Sequence, residues 1–191
     1  MLVLLVLAGC ASDPEVVSAP APDVPAPVSA PPDTADVPSG EAALALDPDG
    51  FRVVSASGST SPLAFGIPFE DAVAALSRLR GEPASRAVSP ECGAGPLDTA
   101  SWDDGLTVYG QDDEFAGWAL SGRSGPSTWT TMAGAGIGST RVDLDSAYDL
   151  DVQETTLGTE FSAGGLHGIL SGPETDATVT HLWAGVPCTF R

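Results

Sequence analysis

Residues 106–121, LTVYGQDDEFAGWALS, predict a β-hairpin. Residues 106–110 and 115–121 are short runs rich in apolar and aromatic residues and bounded by Asp and Gly, which is typical of strands. The segment Gln111-Asp112-Asp113 between them has the composition of a tight turn, because aspartate side chains bond to nearby backbone groups. The same turn chemistry accounts for the neighbouring acidic residues Asp103 and Asp104, so we predict turns here rather than a metal site.

Further short strands are predicted on both sides of this hairpin, where apolar runs are bounded by Gly, Pro and Asp. They cover residues 51–54, 84–89, 98–102, 152–156, 160–162, 168–170 and 178–185.

Two helices are predicted among these strands. The first covers 68–80, where acidic residues in the first turn and arginines in the last suit the helix dipole, and where Val73, Leu76 and Leu79 form an apolar stripe. The second covers 139–148, and Ser139 is its predicted N-cap.

A glycine turn, a short helix and several strands thus occur twice, about 71 residues apart. We predict an α+β domain over 49–191, in which short helices pack on antiparallel sheet. It consists of two helix-plus-antiparallel-meander repeats, one over about 51–125 and one over about 126–191.

The stretches Phe65-Gly66-Ile67-Pro68 and Gly136-Ile137-Gly138-Ser139 carry a resemblance. Their glycine and apolar spacing is similar to that of β-lactamase inhibitor protein-like domains and of small outer-membrane assembly lipoproteins, and the likeness covers 63–191 as two copies. Cys92-Gly93-Ala94-Gly95 and Ala184-Gly185-Val186-Pro187-Cys188 resemble patterns in other envelope lipoproteins. The resemblance implies the fold; it does not imply inhibitor activity, because the loops that would contact an enzyme cannot be aligned.

The N-terminal stretch Leu7-Ala8-Gly9-Cys10 follows a short apolar run and resembles the lipobox of bacterial lipoproteins. This resemblance implies a signal peptide over 1–9 and fatty acyl chains such as palmitate on Cys10. Two or three such chains would anchor the protein stably in a membrane. We therefore expect a lipoprotein of the cell envelope, at the outer membrane or the cell surface, whose domain faces the periplasm. The alternatives are an ordinary secretory signal that is cleaved elsewhere, or an N-terminus that is apolar by chance.

Residues 10–48 are rich in proline and alanine and show no apolar periodicity. Such a composition favours an extended, disordered linker, which would hold the folded domain clear of the membrane.

The three cysteines indicate whether the protein resides in an oxidising compartment. If Cys10 carries the lipid, Cys92 and Cys188 remain as a pair in an oxidising compartment, and we predict one disulfide between them. The alternative is a reactive thiol, although neither cysteine has a histidine neighbour or the spacing of a redox or zinc motif.

The charge balance restricts the partners. Twenty-six acidic residues face seven arginines and no lysine, which gives a net charge of −19. Such a surface repels nucleic acid and anionic lipid. The sequence also lacks a Gly-x-Ser-x-Gly elbow, a His-Glu-x-x-His motif and a phosphate-binding loop with its lysine, so we predict no enzyme activity, no cofactor and no metal.

The aromatic residues are the candidate binding residues. Two interpretations remain open: all of them belong to the core, or some are exposed and grip a protein or a sugar polymer. The candidates are Trp102, Tyr109, Phe115, Trp118, Trp129 and Trp183.

The sequence predicts a noncatalytic, lipid-anchored protein that acts as a protein-binding or assembly module of the envelope. The alternative is a domain that binds the cell wall or a carbohydrate such as peptidoglycan. A hydrolase that uses two of the many acidic residues is the third hypothesis, although nothing singles out a pair. His167 and His181 are interpreted as strand or surface residues rather than as a catalytic pair.

Overall fold

The structure is a computed structural model that describes residues 42–122 and 128–188. The predicted signal peptide, Cys10 and most of the predicted linker lie outside the described residues. Neither helix in the described ranges has the length and apolar character needed to cross a bilayer.

Eleven strands and two helices make up the described part of the chain. Their bounds are β1 Ala43–Asp47, β2 Gly50–Val54, β3 Thr60–Ala64, α1 Phe69–Arg80, β4 Ser85–Ser89, β5 Leu97–Ser101, β6 Leu106–Gln111, β7 Glu114–Ser121, α2 Arg141–Ala147, β8 Asp151–Thr155, β9 Gly158–Ala163, β10 Leu166–Leu170 and β11 Val179–Gly185.

The strands form two antiparallel sheets. The small sheet has the order β1-β2-β3, and the large sheet has the order β4-β5-β6-β7-β11-β10-β9-β8. The hairpin predicted from residues 106–121 supplies β6 and β7, which lie near the middle of the large sheet. At the turn between them, Asp112 and Asp113 have φ angles of 53° and 67°, a conformation that aspartate tolerates in two-residue hairpin turns.

The predicted fold class is wrong. The chain does not form an α+β domain of two helix-plus-meander repeats; it is mostly β, with two sheets and helices of only 12 and 7 residues. The prediction failed because it missed β1 and β3, which join β2 to make a second sheet. Part of the core is therefore closed by sheet instead of helix.

Both missed strands have a physical reason. β1 directly follows the proline-rich run and lies inside the range 10–48 that was assigned to the linker, so ordered structure begins before residue 49. β3 contains Pro62, which cannot donate to a ladder; it is tolerated because β3 is the edge strand of the small sheet.

An aromatic cluster joins the two sheets. Phe51 of β2 has ring centroids of Phe115, Trp118 and Trp129 within 5.8, 6.0 and 5.8 Å of its own. The Trp118 indole N–H donates to the Asp47 carbonyl of β1 at 3.0 Å. The small sheet is thus fixed on the core face of the large sheet by aromatic contacts and by a hydrogen bond.

Helix α1 covers another part of the same core face. Phe69, Ala72, Val73 and Leu76 are buried, and Gly81 ends the helix with a φ of 85°. Helix α2 differs from the prediction at its start, because its N-cap is Thr140 instead of Ser139. The Asp143 backbone N–H donates to the Thr140 hydroxyl at 3.2 Å, and the Thr140 N–H donates to the Asp143 carboxylate at 3.1 Å.

The predicted disulfide is confirmed. Cys92, in the loop after β4, is bonded to Cys188, which follows β11, with the two Cα atoms 5.2 Å apart. The bridge closes a loop of about 97 residues and is worth about 2–5 kcal/mol. Cys92 packs with Leu97 and Tyr109 in a small cluster separate from the main core.

Candidate functional site

All six candidate aromatic residues are buried, with exposed fractions of 9% or less. Phe115, Trp118 and Trp129 lie in the main core against Phe51, and Trp102 belongs to the same cluster. Tyr109 lies in the small cluster beside the disulfide. The structure therefore contains no projecting aromatic patch among these residues, and the core interpretation holds for four of the six.

A β-bulge explains why Phe115 and Trp118 share the core. Simple alternation along β7 would place them on opposite faces. The register between β6 and β7 shifts, so that Gly110 faces Phe115 while Tyr109 faces Gly117, which leaves Ala116 as the extra residue. The extra residue inverts the alternation beyond it.

The face of the large sheet that points away from the main core is here called the outer face. Its residues alternate along each strand with core residues; on β11, for example, Leu182 and Ala184 belong to the core while His181 and Trp183 do not. Both histidines lie on this face. His167 is paired in register with Trp183 and stacks on it, with centroids 6.2 Å apart and an interplanar angle of 21°.

A groove of about 350 Å³ crosses the outer face. Its floor comes from the central strands β6, β7, β11 and β10, and both Cys188 and Leu157 also line it. The lining side chains with hydroxyl, imidazole or indole groups are Thr107, Tyr109, Ser121, His181 and Trp183.

The described lining of the groove differs in charge from the chain as a whole. None of the described residues that line it carries a carboxylate or a guanidinium group, although the chain has a net charge of −19. Two other cavities differ in this respect. One is lined by Arg80, Glu82, Asp103 and Asp104, and the other by Glu70, Arg78, Glu82 and Arg86.

Hydroxyl groups and the phenol supply the polar character of the groove. The Thr107 and Ser101 hydroxyls are 2.9 Å apart across β5 and β6, and the Thr180 hydroxyl lies 3.1 Å from His181 Nδ1. Burial raises the pKa of Tyr109, and a hydrogen bond from the Cys188 backbone counteracts this in part. The phenol is therefore neutral at physiological pH and can both donate and accept hydrogen bonds.

The first charged cavity is organised by Asp104. Burial raises the pKa of Asp104, but hydrogen bonds from Arg80, from Trp129 and from the Leu106 backbone N–H outweigh it and hold the pKa below its usual range. The Trp129 indole N–H donates to the carboxylate at 2.7 Å, and the Arg80 guanidinium lies 4.4 Å from the centre of the Trp129 ring.

This arrangement fits a structural role for Asp104 better than a role as a general acid. A general acid of the glycosidase type requires a carboxyl with a raised pKa, whereas the shift at Asp104 is downward. In the described ranges, no group of three or more His, Cys, Asp or Glu side chains is arranged to hold a metal ion.

Comparison with known protein families, with curated proteins and with solved structures returned no match. The resemblances drawn from sequence spacing therefore stay predictions, and the site must be interpreted from its own chemistry.

Sequence reasoning found part of the groove. Tyr109 and Trp183 were among the candidates, but Thr107, Ser121 and His181 were missed. The strand period of two could have indicated these three residues. Each lies in a predicted strand, two positions from another residue of the outer face. What the sequence did not reveal is which face of each strand the small sheet and α1 would cover.

Proposed function

We propose that this protein is a noncatalytic binding module of the cell envelope, anchored through a lipid on Cys10, and that its contact surface is the groove on the outer face. The observation that carries this proposal is that the described lining of the groove holds no carboxylate and no guanidinium in a chain of −19. An acidic surface keeps such a protein soluble, so a neutral depression lined by hydroxyl and aromatic groups is a place for a specific contact.

The envelope assignment rests on three further features. The lipobox resemblance at residues 7–10 implies acylation, and the proline-rich segment gives a tether. The disulfide between Cys92 and Cys188 is expected in an oxidising compartment. Lipidation is tested by replacing Cys10 with alanine: the protein then leaves the membrane fraction, and retention there would contradict it.

Two classes of partner fit such a module. An envelope protein would make it an assembly factor. The cell-wall polymer is the second candidate, and it is favoured by the hydroxyl groups and aromatic rings that line the groove.

Affinity capture from native envelope tests the binding function. The full-length lipoprotein is compared with Ser121→Arg, which places a bulky charge in the groove, and with Val88→Arg, which places the same charge on the exposed strand β4, where Val88 is 61% exposed. We expect the wild type and Val88→Arg to retain the same partner, and Ser121→Arg to lose it. The partner is identified by mass spectrometry or sugar analysis and confirmed by reciprocal capture. Equal capture by all three proteins, or capture of nothing, would contradict the proposal.

A further inference from the structure

We propose that the groove on the outer face binds a short uncharged saccharide. This inference rests on the proposed binding function and names the chemical class of its ligand.

The first argument is charge. A charged ligand needs a counter-charge when it leaves water, because burying an unpaired ion is costly. The described lining of the groove offers neither a carboxylate nor a guanidinium. The overall charge of −19 also disfavours anions. A cation would likewise find no carboxylate in the described lining. A neutral ligand remains.

The second argument is the mixture of groups on the floor. A sugar ring has an apolar face and a rim of hydroxyls, so it requires an apolar surface next to groups that both donate and accept hydrogen bonds. Trp183 and Ile169 provide apolar floor, while Thr107, Ser121 and Tyr109 carry hydroxyls with both capacities. His167, stacked on Trp183, holds the indole in place.

The third argument concerns peptides, the most obvious rival ligand. One way in which an extended peptide binds is by adding a strand to a free sheet edge. The groove lies over β6, β7, β11 and β10, and each of these strands is paired on both sides within the large sheet. No backbone ladder is open there.

The fourth argument is size and rigidity. A volume of about 350 Å³ lies at the small end of the range of roughly 300–1,000 Å³ that is typical of small-ligand sites. Because the floor belongs to the middle of a sheet, its side chains are held in place before binding, and little ordering cost is paid.

The test is calorimetric titration of the full-length lipoprotein, kept in a detergent without a sugar headgroup. The probes are three neutral trisaccharides, namely those of β-1,4-linked N-acetylglucosamine, β-1,4-linked glucose and α-1,4-linked glucose. A galacturonic acid trisaccharide is the charged control. We expect at least one neutral probe to bind and the uronate not to bind.

Variants locate the binding. Thr107→Val with Ser121→Ala removes two hydroxyls with little change in volume, and we expect affinity to fall about tenfold or more. Ser121→Arg should abolish binding, and Val88→Arg should leave it unchanged. Circular dichroism and an intact disulfide verify folding. If the double variant does not fold, Ser121→Arg and Val88→Arg still test the saccharide inference.

The outcomes separate the two proposals. Failure of every neutral probe to bind, or binding that the groove variants do not weaken, overturns the saccharide inference. If a protein partner is nevertheless captured and lost with Ser121→Arg, the binding function stands and its ligand class is wrong. If nothing is captured either, both proposals fail.

Discussion

At the scale of single residues, Asp104 shows how one side chain can join several segments. Its carboxylate accepts from Arg80 at the end of α1, from Trp129 and, at 3.3 Å, from the Leu106 backbone N–H at the start of β6. Because Trp129 also packs on Phe51 of the small sheet, the contact links three parts of the core.

Replacing Asp104 with asparagine removes the ion pair but keeps an oxygen that can accept from Trp129. We expect the free energy of unfolding at pH 7 to fall by about 1 kcal/mol, since the group is partly exposed. Urea denaturation measures this change. Asp103→Asn, at the exposed neighbouring position, is the control and should change the free energy of unfolding by no more than about 0.5 kcal/mol.

The lowered pKa of Asp104 determines how the difference in stability between the wild type and Asp104→Asn depends on pH. A carboxyl whose folded pKa is depressed stabilises the protein above the unfolded pKa, about 3.9 for aspartate, and loses this effect as the pH falls through the folded value. The wild type and Asp104→Asn should therefore converge in stability below about pH 4. A difference that stays constant down to pH 2 would contradict the account.

At the scale of elements, most strands and helices were predictable and the bulge was not. Helix α1 was predicted over 68–80 and is observed over 69–80, because dipole charges and the terminal glycine mark both ends. The hairpin β6–β7 was predicted from its two short apolar runs and the aspartate turn between them. The bulge at Ala116 was missed, since one extra residue leaves no mark in composition. Without it, simple alternation would separate Phe115 from Trp118.

The close approach of α1 to β6 gives a prediction at this scale. A Cβ atom at Gly110 would lie 2.7 Å from Cγ of Phe69, the first residue of α1. Phe69 is buried and cannot move away freely, so we expect Gly110→Ala to lower the free energy of unfolding by about 1–3 kcal/mol.

Gly93→Ala is the matched control, because a Cβ there meets nothing within 4 Å. Chemical denaturation of both variants makes the comparison. If Gly110→Ala were as stable as Gly93→Ala, the packing of α1 on β6 described here would be wrong.

At the scale of the whole molecule, the proposed function rests on the distribution of charge more than on any sequence motif. The sequence predicted an acidic protein and a set of candidate aromatic residues, but it left open whether all of these belong to the core or some are exposed. Phe115, Trp118 and Trp129 close the core between the two sheets. Only the packing of the small sheet, residues 43–64, and of α1 on strands that lie later in the chain distinguishes the core face from the outer face, and this is why the groove could not be located from the sequence.

The central claim is that the groove on the outer face contacts a partner in the envelope. Photo-crosslinking in living cells tests it most directly, with a photoreactive amino acid placed at Ser121 in one strain and at Val88 in another. We expect a discrete adduct from position 121, either a shifted protein band or material released only by digestion of the wall, and none from position 88. Equal crosslinking from both positions, or from position 88 alone, would contradict the account.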